Sequence, residues 1–582
     1  MFWWNLMQPP RDETLRTLLS DLYPHNSSGD LQALSSQLLQ ILGPASAHAD
    51  SADANHCWHR DDVVLITYAD SVVDDAKPGL QGLRSFVNRH LQVFASVIHV
   101  LPFLESTSDG GFAVSSHEQL EERHGDWSDL AALAEGRRLM ADLVLNHVSA
   151  SHPWVRQFLR DEEPGRLCVL EAAPDPCWDN VVRPRSSALF THLQSSVGQR
   201  QVWTTFGPDQ VDLDWRCPEV LLGFTRLLKQ KLAHGVRWIR LDAVGFVWKE
   251  PNTSCIHRPQ VHRLVEVLRH LLTYACSGGG VVVTETNVPE EENLSYLRSG
   301  REAHLAYNFP LPPLLMEAAM SGSADLLNRW LSRWPQLPNS TALLNFTACH
   351  DGVGLRPLEG LMPQRRLLNL LIACEQRGGL VSHRRLADGD DVPYEINISW
   401  WSAMADAGVD PAHLQRQRFL LTEMLKLVLP GIPAFYLPAL LASPNDLARF
   451  RQSGHRRDLN RPQFKAAALE RRLDDPDSDA TAVLMALRHA LTLRAELPAL
   501  HPDSVLEVLS VDRVDRVVLR CSHQGHSLVA VHNFTASRLT FDPTVMGGRD
   551  DLVWVDRLTD QQFAPRRRHA LEPYAVLWLV QA

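Results

Sequence analysis

The chain has 582 residues, which is too long for one simple core, so we expect about two to four folding units. Hydrophobic residues make up 45% of the chain and charged residues 21%, proportions typical of a soluble globular protein. The 57 basic and 68 acidic residues give a net charge of −11, which argues against nucleic acid as a partner.

Cysteine usage and the apolar segments indicate the compartment. The nine cysteines are scattered, odd in number and without a CxxC pair, so they predict neither a disulfide framework nor a zinc site. The apolar start, Met1–Leu6, is too short for a signal peptide and lacks its charged segment. Because no apolar span reaches the roughly 18 residues of a membrane helix, we expect a cytoplasmic protein.

Residues 11–45 carry apolar side chains at helical spacing, which predicts two helices separated at Asn26–Gly29. The small and polar residues from Ala45 to Asn55 are typical of a linker. We interpret residues 1–57 as a helical N-terminal extension, whose periodicity indicates packing rather than chemistry.

From about residue 60, apolar runs alternate with helix-like segments, which favours a parallel sheet. Eight such runs predict a closed (β/α)8 barrel, a TIM barrel of the α/β class, over residues 58–500. The strand candidates are Val63–Tyr68, Val97–Pro102, Leu139–Leu145, Val236–Asp242, Val281–Glu285, Ala303–Asn308, Leu343–Thr347 and Leu427–Phe435.

Two long segments interrupt this alternation. Residues 148–211, after the third strand, are too many for one helix and predict a small inserted domain. A second insertion, residues 352–425, follows the seventh strand. After residue 500, short strand-like runs with turn residues between them predict an antiparallel β domain over residues 501–582.

The fourth predicted strand ends with Arg240 and Asp242, two residues apart. Residues at i and i+2 of a strand share a face, so both point the same way at the end of a barrel where chemistry occurs. An arginine favours the ionised form of a neighbouring aspartate, and an ionised aspartate can attack as a nucleophile. A buried ion pair that only supports the fold explains these two residues equally well.

Other strand ends carry further chemical groups. Glu285 and Asp351 end two later strands, His350 precedes Asp351, His147 ends the third strand, and Asp109 follows the second. Such residues converge at one rim of a barrel. Paired carboxyl groups suit glycosidic chemistry, in which one attacks the anomeric carbon and the other, protonated, serves the leaving oxygen. A divalent metal site is the competing use of the same cluster.

Four stretches resemble the four signature regions of the α-amylase superfamily (glycoside hydrolase family 13), in the correct order and at suitable spacing. They are Asp142–His147, Arg240–Ala243, Glu285 on its strand, and His350–Asp351. The segments that are similar to the sucrose phosphorylase and glucosylglycerate phosphorylase group within it are Ala243–His257, Phe206–Asp214, Tyr394–Asn397 and Arg456–Arg461. The likeness runs from about residue 60 to the C-terminus.

This resemblance implies a retaining α-glucoside phosphorylase, which forms a β-glucosyl-aspartate intermediate and gives α-glucose 1-phosphate from sucrose or glucosylglycerate. It implies Asp242 as the nucleophile, Glu285 as the general acid/base and Asp351 as the carboxylate that grips glucose hydroxyls. The implied substrate-binding residues are Asp109, Phe112, His147, Arg240, His350 and Arg457, with Phe206, Gln210, Tyr394 and Glu395 on the acceptor side.

The resemblance also implies no metal and no cofactor, with inorganic phosphate as co-substrate. Phosphate needs cationic or hydrogen-bonding groups, for which His350, Arg356, Arg384 and Arg385 are candidates. The expected partners are a small-molecule α-glucoside and phosphate, without nucleic acid or membrane, and a homodimer is the candidate assembly.

Some segments depart from the group's pattern. Ala113–His117 lacks the Asp-Tyr pair usual there, and Glu395 stands where sucrose-specific members carry glutamine. Trp248–Pro251 looks more like the glucosylglycerate and sucrose-6′-phosphate phosphorylase branches. These departures argue against sucrose as the preferred substrate. A retaining α-glucosidase or amylosucrase-like transglucosidase acting without phosphate is the alternative function, and a catalytically silent binding subunit is a third.

Overall fold

The computed structural model describes residues 11–44, 58–277, 279–386, 389–406, 412–546 and 552–581. The apolar start Met1–Leu6 and the predicted linker at 45–55 lie outside the described residues. None of the helices in these ranges has the length and apolar character needed to cross a membrane.

Eight parallel strands close into a barrel, in which each strand pairs with its neighbours in the chain and the eighth pairs with the first. The strands are β1 Val64–Thr67, β2 Val97–Val100, β3 Arg138–Val144, β4 Val236–Asp242, β5 Val281–Thr284, β6 Leu305–Tyr307, β7 Ala342–Asn345 and β8 Ile432–Tyr436. Nearly all of their residues are buried, because a parallel sheet is covered on both faces. The predicted barrel is confirmed.

The eighth strand begins later than predicted. Leu427 and Val428 end a helix, and the strand starts only at Ile432. Pro430 cannot continue the helix because it lacks an N–H and clashes with the preceding turn. Gly431 then passes so close to β7 that a Cβ on it would lie 2.3 Å from the carbonyl oxygen of Leu343.

Amphipathic helices cover the outside of the barrel. The helix Pro259–Ala275, for example, buries Val261, Leu264, Val265 and Leu268, the spacing of a single helical face. Outside the two insertions, the helices between β1 and the C-terminal β unit are Gly79–His90, Trp127–Leu133, Pro218–Ala233, Pro259–Ala275, Glu290–Arg298, Leu311–Ser321, Asp325–Leu331, Ala412–Val428, Leu437–Leu440, Leu447–Ser453, Ala466–Asp474 and Asp479–Glu496.

Two N-terminal helices, Arg11–Leu22 and Ser28–Leu42, pack against the outer helices Pro218–Ala233 and Pro259–Ala275. Ser27 caps the second of them, since its side chain accepts from the backbone N–H of Asp30 in a capping box. The predicted helical extension is confirmed as secondary structure.

Between β3 and β4 the chain leaves the barrel and forms a small unit. Its strands are His147–Ser149, Phe190–Ser195, Gly198–Trp203 and Gln210–Asp212, and its helices are Pro153–Leu159 and Gly165–Cys168. The first and last strands pair antiparallel, with His147 opposite Asp212. The beginning and the end of the insertion are therefore fastened together at the barrel rim.

The segment between β7 and β8 carries a three-stranded sheet. Its strands are Val353–Gly354, Leu380–Arg385 and Asp391–Asn397, and its helices are Gln364–Gln376 and Trp400–Ala403. Antiparallel pairing of its central strand with both neighbours brings Tyr394 and Glu395 back over the barrel.

An antiparallel β unit closes the chain, as predicted. Six strands form its main sheet and two a smaller one, around a core that includes Val529, Val531 and Leu579. The strands are Val505–Val508, Arg516–His523, His526–Asn533, Leu539–Phe541, Trp554–Asp556, Gln562–Phe563, His569–Leu571 and Val576–Gln581; a further pair, Val72–Val73 and Phe464–Lys465, lies beside the barrel. The domain boundaries at residues 57 and 500 stay predictions.

Candidate active site

A cavity opens at the carboxyl end of the barrel strands, the end at which barrels of this type carry their active sites. It is lined by every predicted catalytic and substrate-binding residue except Arg240, which is buried and only 1% exposed. The lining residues that the sequence predicted are Asp109, Phe112, His147, Phe206, Gln210, Asp242, Glu285, His350, Asp351, Tyr394, Glu395 and Arg457. The structure brings them together, and their individual roles stay predictions.

One arginine at the base of the cavity, Arg240, contacts several carboxyl groups. Arg240 and Asp242 lie on the same side of β4, as strand alternation requires. Arg240 Nη1 donates to Asp242 Oδ1 at 2.7 Å and also to Asp142, its register partner on β3. His99 on β2 donates to the other oxygen of Asp142 at 2.8 Å. These residues form one buried ionic network.

We expect from the sequence that Arg240 keeps the carboxyl group of Asp242 ionised. Burial raises the pKa of Asp242 well above its ordinary value and outweighs the lowering effect of Arg240. The charges of Glu285 and Asp142 raise that pKa further. Burial also acts on Asp142, but His99 and Arg240 hold its pKa below the ordinary value. Arg240 alone therefore does not set the pKa of Asp242, and the ionisation of this carboxyl group in catalysis stays a prediction.

Glu285 directly follows β5 and shares the same arginine. Its Oε2 accepts from the backbone N–H of Ala243 at 3.0 Å and lies 3.7 Å from Arg240 Nη2. Ala243 has a left-handed backbone, with φ 46°, immediately after β4. Burial raises the pKa of Glu285, and the charge of Asp351 adds to the rise. Burial therefore raises the pKa of both Asp242 and Glu285, which lie beside the same arginine.

Asp351, after β7, is held by two arginines. Its Oδ1 lies 2.5 Å from Arg457 Nη1 and 3.7 Å from Arg461 Nη2. Burial alone would raise the pKa of Asp351, but the arginines lower it below the ordinary value. For the adjacent His350, burial and then Arg240 and Arg461 lower the pKa well below the ordinary value. A fixed negative charge therefore stands beside a neutral imidazole.

Arg457 contacts residues predicted for the glucose side of the cavity as well as a residue predicted for the acceptor side. It donates twice to Glu395, from Nε to Oε1 at 3.1 Å and from Nη2 to Oε2 at 2.7 Å. Its Nη1 lies 4.0 Å from Asp109 Oδ1, and the other oxygen of Asp109 accepts from Gln210 Nε2 at 3.1 Å. Planar two-point pairing of this kind fixes the orientation of the guanidinium group.

Aromatic rings cover other sides of the cavity. Phe112 stacks on His350 with ring centroids 5.0 Å apart and planes 8° from parallel. Phe206 contacts His147 at 5.3 Å and Phe246 at 5.7 Å. Apolar faces with a few fixed polar groups are typical of a small-molecule site.

Comparison with known proteins assigns the family. The sequence profile of the alpha amylase catalytic domain matches residues 79–352, and that of the amylosucrase C-terminal domain matches residues 512–580. The chain is 38% identical over 525 residues to glucosylglycerate phosphorylase of Allomeiothermus silvanus, an alignment that covers 90% of this chain and 92% of that relative. The chain belongs to the glucoside phosphorylases of the α-amylase family.

Two further likenesses agree with this family. Sucrose phosphorylase of Bifidobacterium adolescentis is 27% identical over 451 residues, which is 74% of this chain and 85% of that enzyme. The crystal structure of sucrose 6F-phosphate phosphorylase from Thermoanaerobacter thermosaccharolyticum matches the fold with a TM-score of 0.70, at 23% identity over 81% of this chain and 94% of that one. The predicted function, a glucoside phosphorylase and hence a glycosyltransferase, is confirmed.

The cavity of this phosphorylase contains a cation that the sequence analysis missed. Arg185, from the insertion after β3, lies over the rings of Phe206 and Tyr394, with 5.7 and 5.4 Å from its guanidinium carbon to their centroids. Within the described ranges it forms no salt bridge with a carboxylate, and it donates to the carbonyl oxygen of Pro184 at 3.4 Å. No motif or period marks this position, because it lies in an irregular loop.

Three further cavity residues that were not predicted lie near predicted residues or segments in the sequence. Asn287 lines the cavity two residues after Glu285, a spacing that extended backbone places on the same side. Phe246 and His257 also line it, and both belong to the segment Ala243–His257, which carried part of the resemblance. The resemblance assigned no roles to the side chains of that segment.

The arginines suggested for phosphate have other partners in the phosphorylase. Arg384 donates to Glu359 at 3.1 Å, and Arg356 lies 3.6 Å from the same carboxylate. Arg385 donates to Asp391 at 2.7 Å. None of the three lines the cavity, whereas His350 does line it. Which residues bind phosphate stays a prediction.

One group of side chains has metal-ligand spacing. Cys349, His350 and Asp351 place ligand atoms within 4.8 Å of one another. Arg457 and Arg461 already neutralise Asp351, and burial raises the pKa of the Cys349 thiol, which keeps it protonated. These residues do not fit a cation site. That the phosphorylase uses no metal stays a prediction.

Proposed function

We propose that the enzyme phosphorolyses an α-glucoside of glycerate and releases α-glucose 1-phosphate with retention of configuration. The observation that carries the proposal is the placement of Asp242 and Glu285 on one arginine, Arg240. Two buried carboxyl groups that share one proton supply both a nucleophile and an acid, the two groups that a retaining mechanism needs.

In the first step, Asp242 attacks the anomeric carbon while Glu285 gives its proton to the leaving oxygen of glycerate. The glycosidic C–O bond breaks as the bond from Asp242 to glucose forms, which leaves a β-glucosyl enzyme. Arg240 supports this division of roles, because it lies 2.7 Å from Asp242 and 3.7 Å from Glu285 and so favours the negative charge on Asp242. Asp351, ionised between two arginines, stabilises the positive charge that develops on the sugar.

In the second step, an oxygen of inorganic phosphate attacks the anomeric carbon and the bond to Asp242 breaks. Glu285, now a base, takes the proton of the incoming phosphate. The guanidinium of Arg185 supports this step, since a cation at the cavity wall that forms no salt bridge among the described residues can form charge-assisted hydrogen bonds to phosphate.

Glycerate is the proposed leaving group because of its charge. Its carboxylate complements Arg185 in the first step, at the place that phosphate takes in the second, whereas fructose carries no charge. The similarity to a glucosylglycerate phosphorylase over nine-tenths of the chain supports the same choice.

The test uses purified protein with α-glucosylglycerate or sucrose, each with and without phosphate, and measures α-glucose 1-phosphate. We expect product only with phosphate, and a kcat/KM for glucosylglycerate at least about tenfold above that for sucrose. Asp242→Asn should lose phosphorolysis while its circular dichroism spectrum stays that of the wild type. Faster turnover of sucrose would overturn the proposed substrate, and free glucose formed at full rate without phosphate would overturn the proposed reaction.

A sugar phosphate is the second candidate for the leaving group, because Arg185 suits a phosphate as well as a carboxylate. Sucrose 6F-phosphate therefore belongs in the same assay. A kcat/KM for it above that for glucosylglycerate would replace the first candidate.

We further propose a cytoplasmic enzyme that needs no cofactor beyond phosphate and works as a homodimer. Among the described residues, all eight cysteines are free thiols, which supports a reducing compartment. Leu368 and Ile372 are 48% and 53% exposed one turn apart on the helix Gln364–Gln376, which supports an apolar contact between copies. Light scattering of the wild type and of a Leu368→Glu/Ile372→Glu variant tests the dimer, and full activity after exhaustive chelation tests the absence of a metal.

A further inference from the structure

A buried ammonium group lies behind the cavity wall. Lys249 follows β4 by seven residues, and its side chain is only 2% exposed. Its Nζ lies 2.6 Å from Asp212 Oδ2 and donates to Asn146 Oδ1 at 2.6 Å. The carboxylate of Asp212 is wholly buried and also accepts from Thr205, from Oγ1 at 2.5 Å and from the backbone N–H at 3.0 Å.

These four residues come from three separate parts of the chain. Asn146 lies two residues after the end of β3, Lys249 belongs to the loop after β4, and Thr205 and Asp212 belong to the inserted segment. Three segments that are far apart in sequence therefore meet at one lysine. The segments of Asn146 and Asp212 are already joined by the pairing of His147–Ser149 with Gln210–Asp212. Lys249 joins the loop after β4 to both of them.

Each of the three segments carries an aromatic ring into the cavity close to its contact with Lys249. His147 follows Asn146, Phe206 follows Thr205, and Phe246 precedes Lys249 by three residues. The rings also touch one another in the same order, with 5.3 Å from His147 to Phe206 and 5.7 Å from Phe206 to Phe246. The polar contacts of Lys249 therefore lie behind the three rings that line the cavity.

The charge of Lys249 has no substitute at this place. Asp212 is the only carboxylate with which Lys249 forms a salt bridge in the described part of the chain, and Lys249 is the only cation paired there with Asp212. Removing one partner of a buried pair leaves an uncompensated charge, which the protein must relieve by movement or by admitting water. Either response would move the segments that hold the three rings.

We propose that Lys249 is a positioning residue that aligns His147, Phe206 and Phe246 against the bound glucosyl group. The proposal rests on the proposed function only in that a glucosyl group occupies this cavity. Lys249 touches no reacting atom, so its effect on catalysis is geometric. A displacement of about 1 Å in such a wall can lower the rate by up to roughly 100-fold.

The test compares Lys249→Met with the wild type, using α-glucosyl fluoride and measuring fluoride release. This donor needs neither glycerate nor phosphate, so the result is independent of which acceptor the enzyme prefers. We expect kcat/KM for the fluoride to fall at least tenfold at a temperature well below the Tm of the variant. Retention of kcat/KM within twofold would overturn the proposal.

A matched control separates positioning from general loss of stability. Arg366→Met also leaves a buried carboxylate, that of Glu317, without its cation, but neither residue lines the cavity. This variant should have a lower Tm and a kcat/KM within twofold of the wild type. An equal loss of kcat/KM in both variants would mean that the effect of Lys249 is not positional.

A double variant keeps the proposal testable if Lys249→Met does not fold. Lys249→Met/Asp212→Asn removes both charges of this buried pair and leaves neither unpaired, so its Tm should return toward that of the wild type. Asn146 still lacks its donor in this variant, so we expect kcat/KM to stay at least fivefold low. Recovery of kcat/KM together with Tm would show a purely structural charge effect and overturn the proposal.

Discussion

At the residue scale, the electrostatics of the cavity depend on which carboxyl groups contact one guanidinium group. Arg240 contacts Asp142, Asp242 and Glu285, three carboxyl groups from three neighbouring strands or their ends. In the part of the chain that the structure describes, Asp142 is the one of the three that also pairs with a histidine, His99. Burial therefore governs the other two carboxyl groups and raises the pKa of both.

Glu285→Gln should stabilise the protein more at high pH than at low pH. Because the pKa of folded Glu285 is raised, the folded state binds one more proton than the unfolded state at pH values between about 4.5 and the higher folded pKa. The stability that depends on this proton is full below about pH 4.5 and is lost as the pH rises through the folded pKa. We expect the gain in Tm over the wild type to be larger at pH 8 than at pH 5, by calorimetry. A gain that is equal at both pH values would contradict the raised pKa.

Arg185→Ala should weaken the use of phosphate. A charge-assisted hydrogen bond contributes about 1.5–3 kcal/mol, so we expect KM for phosphate to rise at least about tenfold. The control is Arg384→Ala, because Arg384 is paired with Glu359 and lies outside the cavity. Initial rates at varied phosphate measure both variants, and an equal rise in KM for the two would rule out the assigned role.

At the element scale, the loops at the carboxyl ends of the strands are held by close backbone contacts. The strand pairing of His147–Ser149 with Gln210–Asp212 fastens both ends of the first insertion to the rim. The second insertion is fastened by a three-stranded sheet and by the salt bridge from Glu395 to Arg457. Both insertions therefore contribute cavity residues from anchored positions.

Gly431→Ala should destabilise the junction of β7 and β8. The added Cβ would lie 2.3 Å from the Leu343 carbonyl oxygen, and φ at this position is +110°. We expect a loss of about 2 kcal/mol or more in the free energy of unfolding, measured with denaturant. Gly360→Ala is the matched control, since φ there is +79° but no atom lies within 4 Å of the new Cβ. It should cost only about 1–2 kcal/mol, and an equal loss in both variants would contradict the steric argument.

At the scale of the whole molecule, the N-terminal helices lie outside the barrel and away from the cavity. Leu15, Leu19 and Leu38 are wholly buried, and none of residues 11–44 lines the cavity. Such a unit adds buried apolar surface to the outer helix layer without touching the proposed chemistry.

A variant without residues 1–44 should be less stable but equally active. Removing the two helices exposes apolar surface on the helices Pro218–Ala233 and Pro259–Ala275, so we expect Tm to fall by roughly 5 °C or more. The kcat/KM of the folded variant should stay within about twofold of the wild type, measured well below its Tm. A large loss of kcat/KM in the folded state would assign these helices a part in catalysis.

Much of this molecule follows from local pattern. Each barrel strand is covered on both faces, so it appears in the sequence as a short apolar run, and each outer helix appears as a period of three to four residues. The pattern also places Arg240 with Asp242, because two residues on a strand share a face whatever surrounds them. The eighth strand was mislocated because an apolar helix end and an apolar strand are adjacent, separated only by Pro430 and Gly431.

The sequence by itself determined the order of strands and helices, the family and the set of carboxyl groups at the strand ends. Tertiary structure alone decided how their charges combine. The register of β3 against β4 sets Asp142 opposite Arg240. Burial, together with the charges of Glu285 and Asp142, raises the pKa of Asp242. The path of an irregular loop brings Arg185 over Tyr394, and the meeting of three loops surrounds Lys249. Coulomb and burial effects depend on distances between side chains that are far apart in the chain, and such distances exist only after folding.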